Sequence, residues 1–161
     1  MDMWSIAAAI YELFTADILF KGRTNNEMLK LMMDLKGPFP KKMVRKGIFA
    51  SQHFAEDSSL SFMCMETDVV TGEPVKRLIA NPEKKRTFLQ LLTRAVAKEH
   101  KGQKIPKEEM RRVEMLADFL EKCTTMDPAA RMTPADAIQH RFIQAVIATA
   151  TKNTKKAKAA K

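Results

Sequence analysis

The chain has 161 residues, enough for one domain with a sizeable core, and its 45% hydrophobic content argues against general disorder. No apolar run approaches the ~18 residues that a membrane span requires, and Cys64 and Cys123 match no metal-ligand spacing and make no disulfide framework. The formal charge of +9 is uneven: Lys152, Lys155, Lys156, Lys158 and Lys161 crowd the C-terminal tail without an acid, and Lys41, Lys42, Arg45 and Lys46 form a second cluster.

Such basic patches attract phosphate-rich partners or acidic peptides. The tail has no aromatic residue to stack on bases, so direct nucleic-acid binding is not expected. Reduced cysteines suit an intracellular protein. Asp2 stands where a secretory leader would carry a positive charge, and Glu12 and Asp17 interrupt the apolar run behind it, which argues against a signal peptide.

Residues 2 to 15 are apolar nearly all the way round and predict a helix buried inside a domain. Asp2 at its start requires backbone donors or a cation, since a buried carboxylate is tolerated only when satisfied; Trp4 follows closely. A loop runs from Ala16 to Arg23, with Gly22 as its turn residue. Thr24 and Glu27 then have the spacing of a capping box, in which the threonine accepts the N–H three residues on and the glutamate reaches back to the N-cap amide. The helix they open carries Met28, Leu31, Met32 and Leu35 in one stripe. That stripe packs on a core or, because methionine adapts to irregular partners, docks one.

Gly37-Pro38-Phe39-Pro40 stops that helix, and Lys41 to Lys46 reads as a basic turn leading to Gly47. Residues 48 to 60 show little periodicity. Ser61 to Asp68 and Val75 to Ala80 flank a turn around Thr71-Gly72-Glu73-Pro74 and predict a β-hairpin with a loop longer than two residues. Asn81-Pro82 reads as an N-cap and first-turn proline for a helix with the stripe Phe88, Leu91, Leu92, Ala95 and Val96. After a polar connection, Pro106 opens a helix with Met110, Val113, Leu116, Ala117, Leu120 and Cys123 on one face. Thr133-Pro134-Ala135-Asp136 starts the last helix, expected to continue through Val146 and then dissolve into the tail. No internal repeat is present.

Asp2-Met3-Trp4-Ser5 followed by an apolar helix and Tyr11-Glu12-Leu13 resembles helix F of the eukaryotic protein kinases. Asp127-Pro128-Ala129-Ala130-Arg131 resembles the Asp-Pro-x-x-Arg segment before their helix I. Leu19-Phe20-x-Gly22 and the long insert after the second helix are similar to the CMGC group. Within it, Met33 to Gly37, Met43 to Gly47 and Gln52-His53-Phe54 resemble the pre-mRNA-processing-factor-four splicing kinases. The resemblance implies a mainly α fold, the C-terminal part of a protein-kinase-like C-lobe with helices F, G, H and I and a CMGC-type insert at about 37–105 containing the hairpin. Residues 1–146 would be a partial kinase domain and 147–161 a disordered basic tail.

The same resemblance implies a parent enzyme that transfers the γ-phosphate of ATP, with Mg, to Ser or Thr of splicing-related proteins in the nucleus. Its Gly-rich loop, strand lysine, catalytic Asp and Asn, and Asp-Phe-Gly motif precede helix F. None occurs in these 161 residues. Asp118-Phe119 is followed by Leu120, His140-Arg141 by Phe142, and Ala80-Asn81-Pro82-Glu83 has one residue too many for Ala-Pro-Glu. The chain by itself is therefore expected to have no catalytic residue, to bind no cofactor or metal, and to need the rest of a kinase domain upstream.

By the resemblance, Asp2 accepts hydrogen bonds from the catalytic-loop backbone, Arg131 pairs with the Glu that ends the activation segment, and Trp4 completes the anchoring motif. Ala9 and Leu13 match positions that support the hydrophobic column beneath the adenine ring. Met28, Met32, Lys41, Lys42, Arg45 and Lys46 are the candidate docking residues. The chain departs from the family pattern at Ala7, where glycine is usual, and at Lys21 and Arg141, where proline is usual. The alternative is a non-catalytic protein-interaction module derived from a kinase C-lobe.

Overall fold

Seven α-helices and one hairpin make up the described part of the chain. The computed structural model describes residues 3–159, and side chains through residue 151. Contacts divide it into two units: Met1–Asp17, Phe88–Thr125 and Ala130–Lys161 form the first, Ile18–Thr87 and Met126–Ala129 the second.

In the first unit, α1 (Met3–Thr15) buries Met3, Ala7 and Tyr11, one residue per turn on a single face. The expectation of a helix buried all round is corrected: Ser5, Ala9, Glu12 and Leu13 lie exposed on the other side. Ala16, at φ 53°, ends the helix in the left-handed region. Tyr11 meets Phe88 edge-on at 6.3 Å, which ties α1 to α4 (Phe88–Glu99). Phe88, Leu92 and Val96 are the buried face of α4. α5 (Lys107–Cys123) buries Val113, Leu116, Ala117, Phe119, Leu120 and Cys123. This matches the expected stripe except that Met110 is half-buried and Phe119 joins the core.

The Thr133 capping box is present: the threonine accepts the Asp136 N–H at 3.2 Å, and the Asp136 carboxylate accepts the Thr133 N–H at 3.2 Å. It opens α6 (Pro134–Gln139), which ends at His140. The expected single helix is thus two. The second, α7 (Arg141–Ala159), continues past Val146 through alanines and lysines, which are strong helix formers.

In the second unit, α2 (Asn25–Lys36) is capped by Thr24, which accepts the Glu27 N–H at 3.2 Å. Glu27 bonds the Arg23 N–H at 2.6 Å, one residue earlier than a capping box requires. Gly37, at φ 82°, closes the helix by donating to the Met33 carbonyl at 2.8 Å. The expected basic turn is a short helix, α3 (Lys41–Lys46): the Pro40 carbonyl accepts the Met43 and Val44 amides, and Val44 is buried.

A single 3₁₀ turn, Ala50–Gln52, leads to the hairpin of β1 (Phe62–Thr67) and β2 (Pro74–Ile79), paired from Phe62↔Ile79 to Thr67↔Pro74. Met33, Phe62 and Cys64 form a small core there, flanked by Leu29, Phe39, Phe54 and Ile79.

Asn81-Pro82 does not open a helix; α4 starts six residues later. The Lys85 and Arg86 amides both donate to the Asp34 carbonyl, at 2.7 and 3.2 Å, while Lys85 Nζ lies 3.3 Å from the Asp34 carboxylate. These bonds hold the segment extended against α2, and tertiary structure overrides the local capping signal.

Candidate functional site

In the first unit, Trp4 and Arg131 meet although 127 positions separate them in sequence. The guanidinium carbon of Arg131 stands 5.3 Å from the Trp4 ring centroid, and its Nε donates to the Thr125 carbonyl at 3.0 Å. A guanidinium over an indole face is attracted by the ring quadrupole. Asp2 lies outside the described residues. Ala9 and Leu13 stand one turn apart on the open face of α1, and Leu13 is 86% exposed. An aliphatic side chain that open to water costs apolar hydration for no local gain. Ala7 has no exposure at all, so its methyl group is accommodated by the core. Lys21 and Arg141, where the resemblance leads one to expect proline, are both exposed.

The second unit holds the other candidates. Met28 and Met32 are half-buried; Met28 packs over Gly22, where a Cβ would stand 2.6 Å from the Met28 nitrogen. The expected docking stripe is therefore partly structural. Lys41, Lys42, Arg45 and Lys46 all project from α3 and are exposed.

Two polar clusters escaped sequence reasoning. Asn26 donates to the Met63 carbonyl at 2.8 Å, accepts the Met65 N–H at 3.0 Å and lies 3.2 Å from His53 Nδ1. It ties α2 to β1 from a position that reads as an ordinary first-turn residue. Beside it, Lys30 hydrogen-bonds Glu66, which raises the lysine pKa and lowers that of the glutamate.

The other cluster gathers His140, Lys122 and Arg141 around the Asp118 carboxylate at 3.1, 3.1 and 3.2 Å. Burial pushes the Asp118 pKa up, but the Lys122 and His140 hydrogen bonds and the neighbouring cations outweigh it and hold the carboxyl below its usual range. The Phe142 N–H donates to His140 Nδ1 at 3.2 Å, leaving Nε2 to donate to Asp118. This is an anchor for the α6–α7 junction. Among the described residues no group of His, Cys, Asp and Glu could hold a metal ion, and no helix is long and apolar enough to cross a membrane.

Relatives carry the reading further. The chain is 39% identical over 146 residues to the serine/threonine-protein kinase prpf4B of Dictyostelium discoideum, a match covering 89% of the chain and 17% of that protein. It is 34% identical over 145 residues to the serine/threonine-protein kinase prp4 of Schizosaccharomyces pombe, covering 88% and 28%. The dual specificity tyrosine-phosphorylation-regulated kinase mbk-2 of Caenorhabditis elegans is 28% identical over 148 residues. No family model matches the chain.

The helical fold with its hairpin insert and these similarities define a protein-kinase-derived region, the C-lobe from helix F onward in a CMGC-type kinase. Within that class the chain resembles the prp4-type serine/threonine-protein kinases, and it spans less than a third of the length of either prp4-type relative.

Proposed function

We propose that the chain supplies the helix F to helix I part of a serine/threonine protein kinase whose complete domain phosphorylates splicing-related proteins in the nucleus with ATP and Mg. In that role Ala9 and Leu13 support the hydrophobic column, Asp2 holds the catalytic-loop backbone, and Arg131, steadied by Trp4, pairs with the Glu that ends the activation segment. The observation that carries this reading is the open face of α1. Its buried side is complete, yet Leu13 stands 86% exposed on the opposite side, one turn from Ala9, at the positions where the kinase resemblance calls for a partner.

The test is reconstitution. The 161-residue chain is co-expressed with the N-lobe-to-activation-segment part of the Dictyostelium relative, and complex formation and phosphoryl transfer to a Ser/Arg-rich peptide are measured. A stable pair that phosphorylates the peptide is expected, with Leu13→Asp abolishing both. Failure of the two parts to associate, or association indifferent to Leu13→Asp, would sink the proposal.

The second reading, an interaction module without catalysis, draws on the self-sufficient bonding of Asn26 to β1. It predicts that the second unit keeps its fold when α1 carries Leu13→Asp.

A further inference from the structure

α3 concentrates four cations in six residues, a length of about 9 Å. Lys41 with Arg45, and Lys42 with Lys46, stand four apart on adjacent rows, where like charges repel. Lys41 Nζ donates to the Ser58 carbonyl at 3.2 Å, whereas Lys42, Arg45 and Lys46 have no hydrogen-bond or ion-pair partner among the described residues. The repulsion along this helix is thus unrelieved.

Beside the cations lies apolar surface: Met43, Ile48 and Phe49 are 41%, 90% and 66% exposed. A cleft of about 470 Å³ runs from Lys42 and Lys46 past Pro40 and Met43 to Pro128 and Ala129, within the size range of ligand pockets. Every residue of this surface belongs to the second unit.

We propose that α3 and this cleft dock an acidic segment of a partner protein. The carboxylates of the segment pair with Lys42, Arg45 and Lys46, and one aliphatic side chain enters between Pro40, Met43 and Pro128. Charge complementarity selects the sign of the partner. The apolar walls select a peptide over a nucleic acid, because a phosphate backbone neutralises lysines but offers no aliphatic group for the cleft. Asp127 also lines the cleft. Its carboxylate accepts the Ala129 N–H at 3.0 Å and would oppose a continuous phosphate track, while an apolar side chain passes it. None of these residues takes part in the α1 pairing proposed above, so the two readings fail separately.

The test uses the full 161-residue chain and a fluorescein-labelled peptide of sequence EEDLLDEE, followed by fluorescence anisotropy at low and at physiological salt. Saturable binding that weakens with salt is expected. The double substitution Lys42→Glu, Lys46→Glu should weaken it about tenfold, with an unchanged circular-dichroism melt to show that the exposed positions leave the fold intact. On the peptide side, where folding is not at issue, replacing both leucines by serine should weaken binding severalfold. Equal affinity of the charge-reversed chain, equal affinity of the serine peptide, or tighter binding of a U8 oligonucleotide than of EEDLLDEE would each overturn the proposal.

Discussion

Asn26 shows how much one amide side chain can decide. It spends its carbonyl on the Met65 N–H and its amino group on the Met63 carbonyl, and it is only 7% exposed. Asn26→Ala would leave the buried Met63 carbonyl and the half-buried Met65 N–H without this partner. A loss of about 2–3 kcal/mol is expected in urea unfolding followed at the second unit, with hairpin amide exchange as the local readout.

Cys123 makes a different prediction. Its side chain is fully buried, and burial pushes its thiol up to about 11. The folded state therefore holds this proton more tightly than the unfolded chain, whose thiol titrates near 8.5. The protonated thiol contributes stability that is fully present below about pH 8.5 and is lost as pH rises through about 11. The unfolding free energy of the wild-type chain, measured by urea titration, should accordingly fall relative to that of Cys123→Ala by about 2–3 kcal/mol between pH 8 and pH 11. Parallel pH profiles for the two proteins would show that the thiol does not titrate in this way.

At the scale of elements, local signals won where nothing larger opposed them. The Thr133 cap, the hairpin and the faces of α4 and α5 follow from residue spacing alone, because each needs only neighbours in sequence or a generic apolar contact. Asn81-Pro82 carries an equally good helix signal, yet the Asp34 carbonyl captures the Lys85 and Arg86 amides, a long-range bond that no local pattern announces. α3 was hidden for the opposite reason: six residues with two adjacent apolar side chains, Met43 and Val44, are too few to display a period.

The methionine stripe of α2 was half legible. Met28 and Met32 read as a stripe, but Met28 is committed to covering Gly22. Gly22→Ala tests that commitment, since the added Cβ would lie 2.6 Å from the Met28 nitrogen and 2.8 Å from its Cγ. The backbone must yield, and a destabilisation of about 1–3 kcal/mol is expected by thermal melting. The candidate anchors were legible only through resemblance. Spacing cannot place Arg131 over Trp4; the motifs at the two ends of the chain marked both residues, and the structure adds that they touch.

At the scale of the whole molecule, the division into two units falls at Asp17/Ile18 and Thr87/Phe88 and again around Met126–Ala129. No change of composition marks those points. The second unit depends on a sheet of only two strands, and such a hairpin is marginal unless something else packs on it.

The Asn26 tie bears on how copies of this chain behave together. A strand whose outer amides and carbonyls are unmatched is a template for another strand, and β1, with Phe62, Met63, Cys64 and Met65 in succession, is an apolar one. Asn26 occupies the outward Met63 carbonyl and Met65 amide, and the His53 carbonyl takes the Met63 amide at 2.8 Å. The other rim belongs to β2, which begins with Pro74 and carries Lys76 and Arg77, residues that discourage pairing. Asn26 thus doubles as a guard against self-assembly, and concentrated Asn26→Ala protein should seed thioflavin-positive aggregates that a proline placed at Met65, whose outward amide the substitution frees, suppresses.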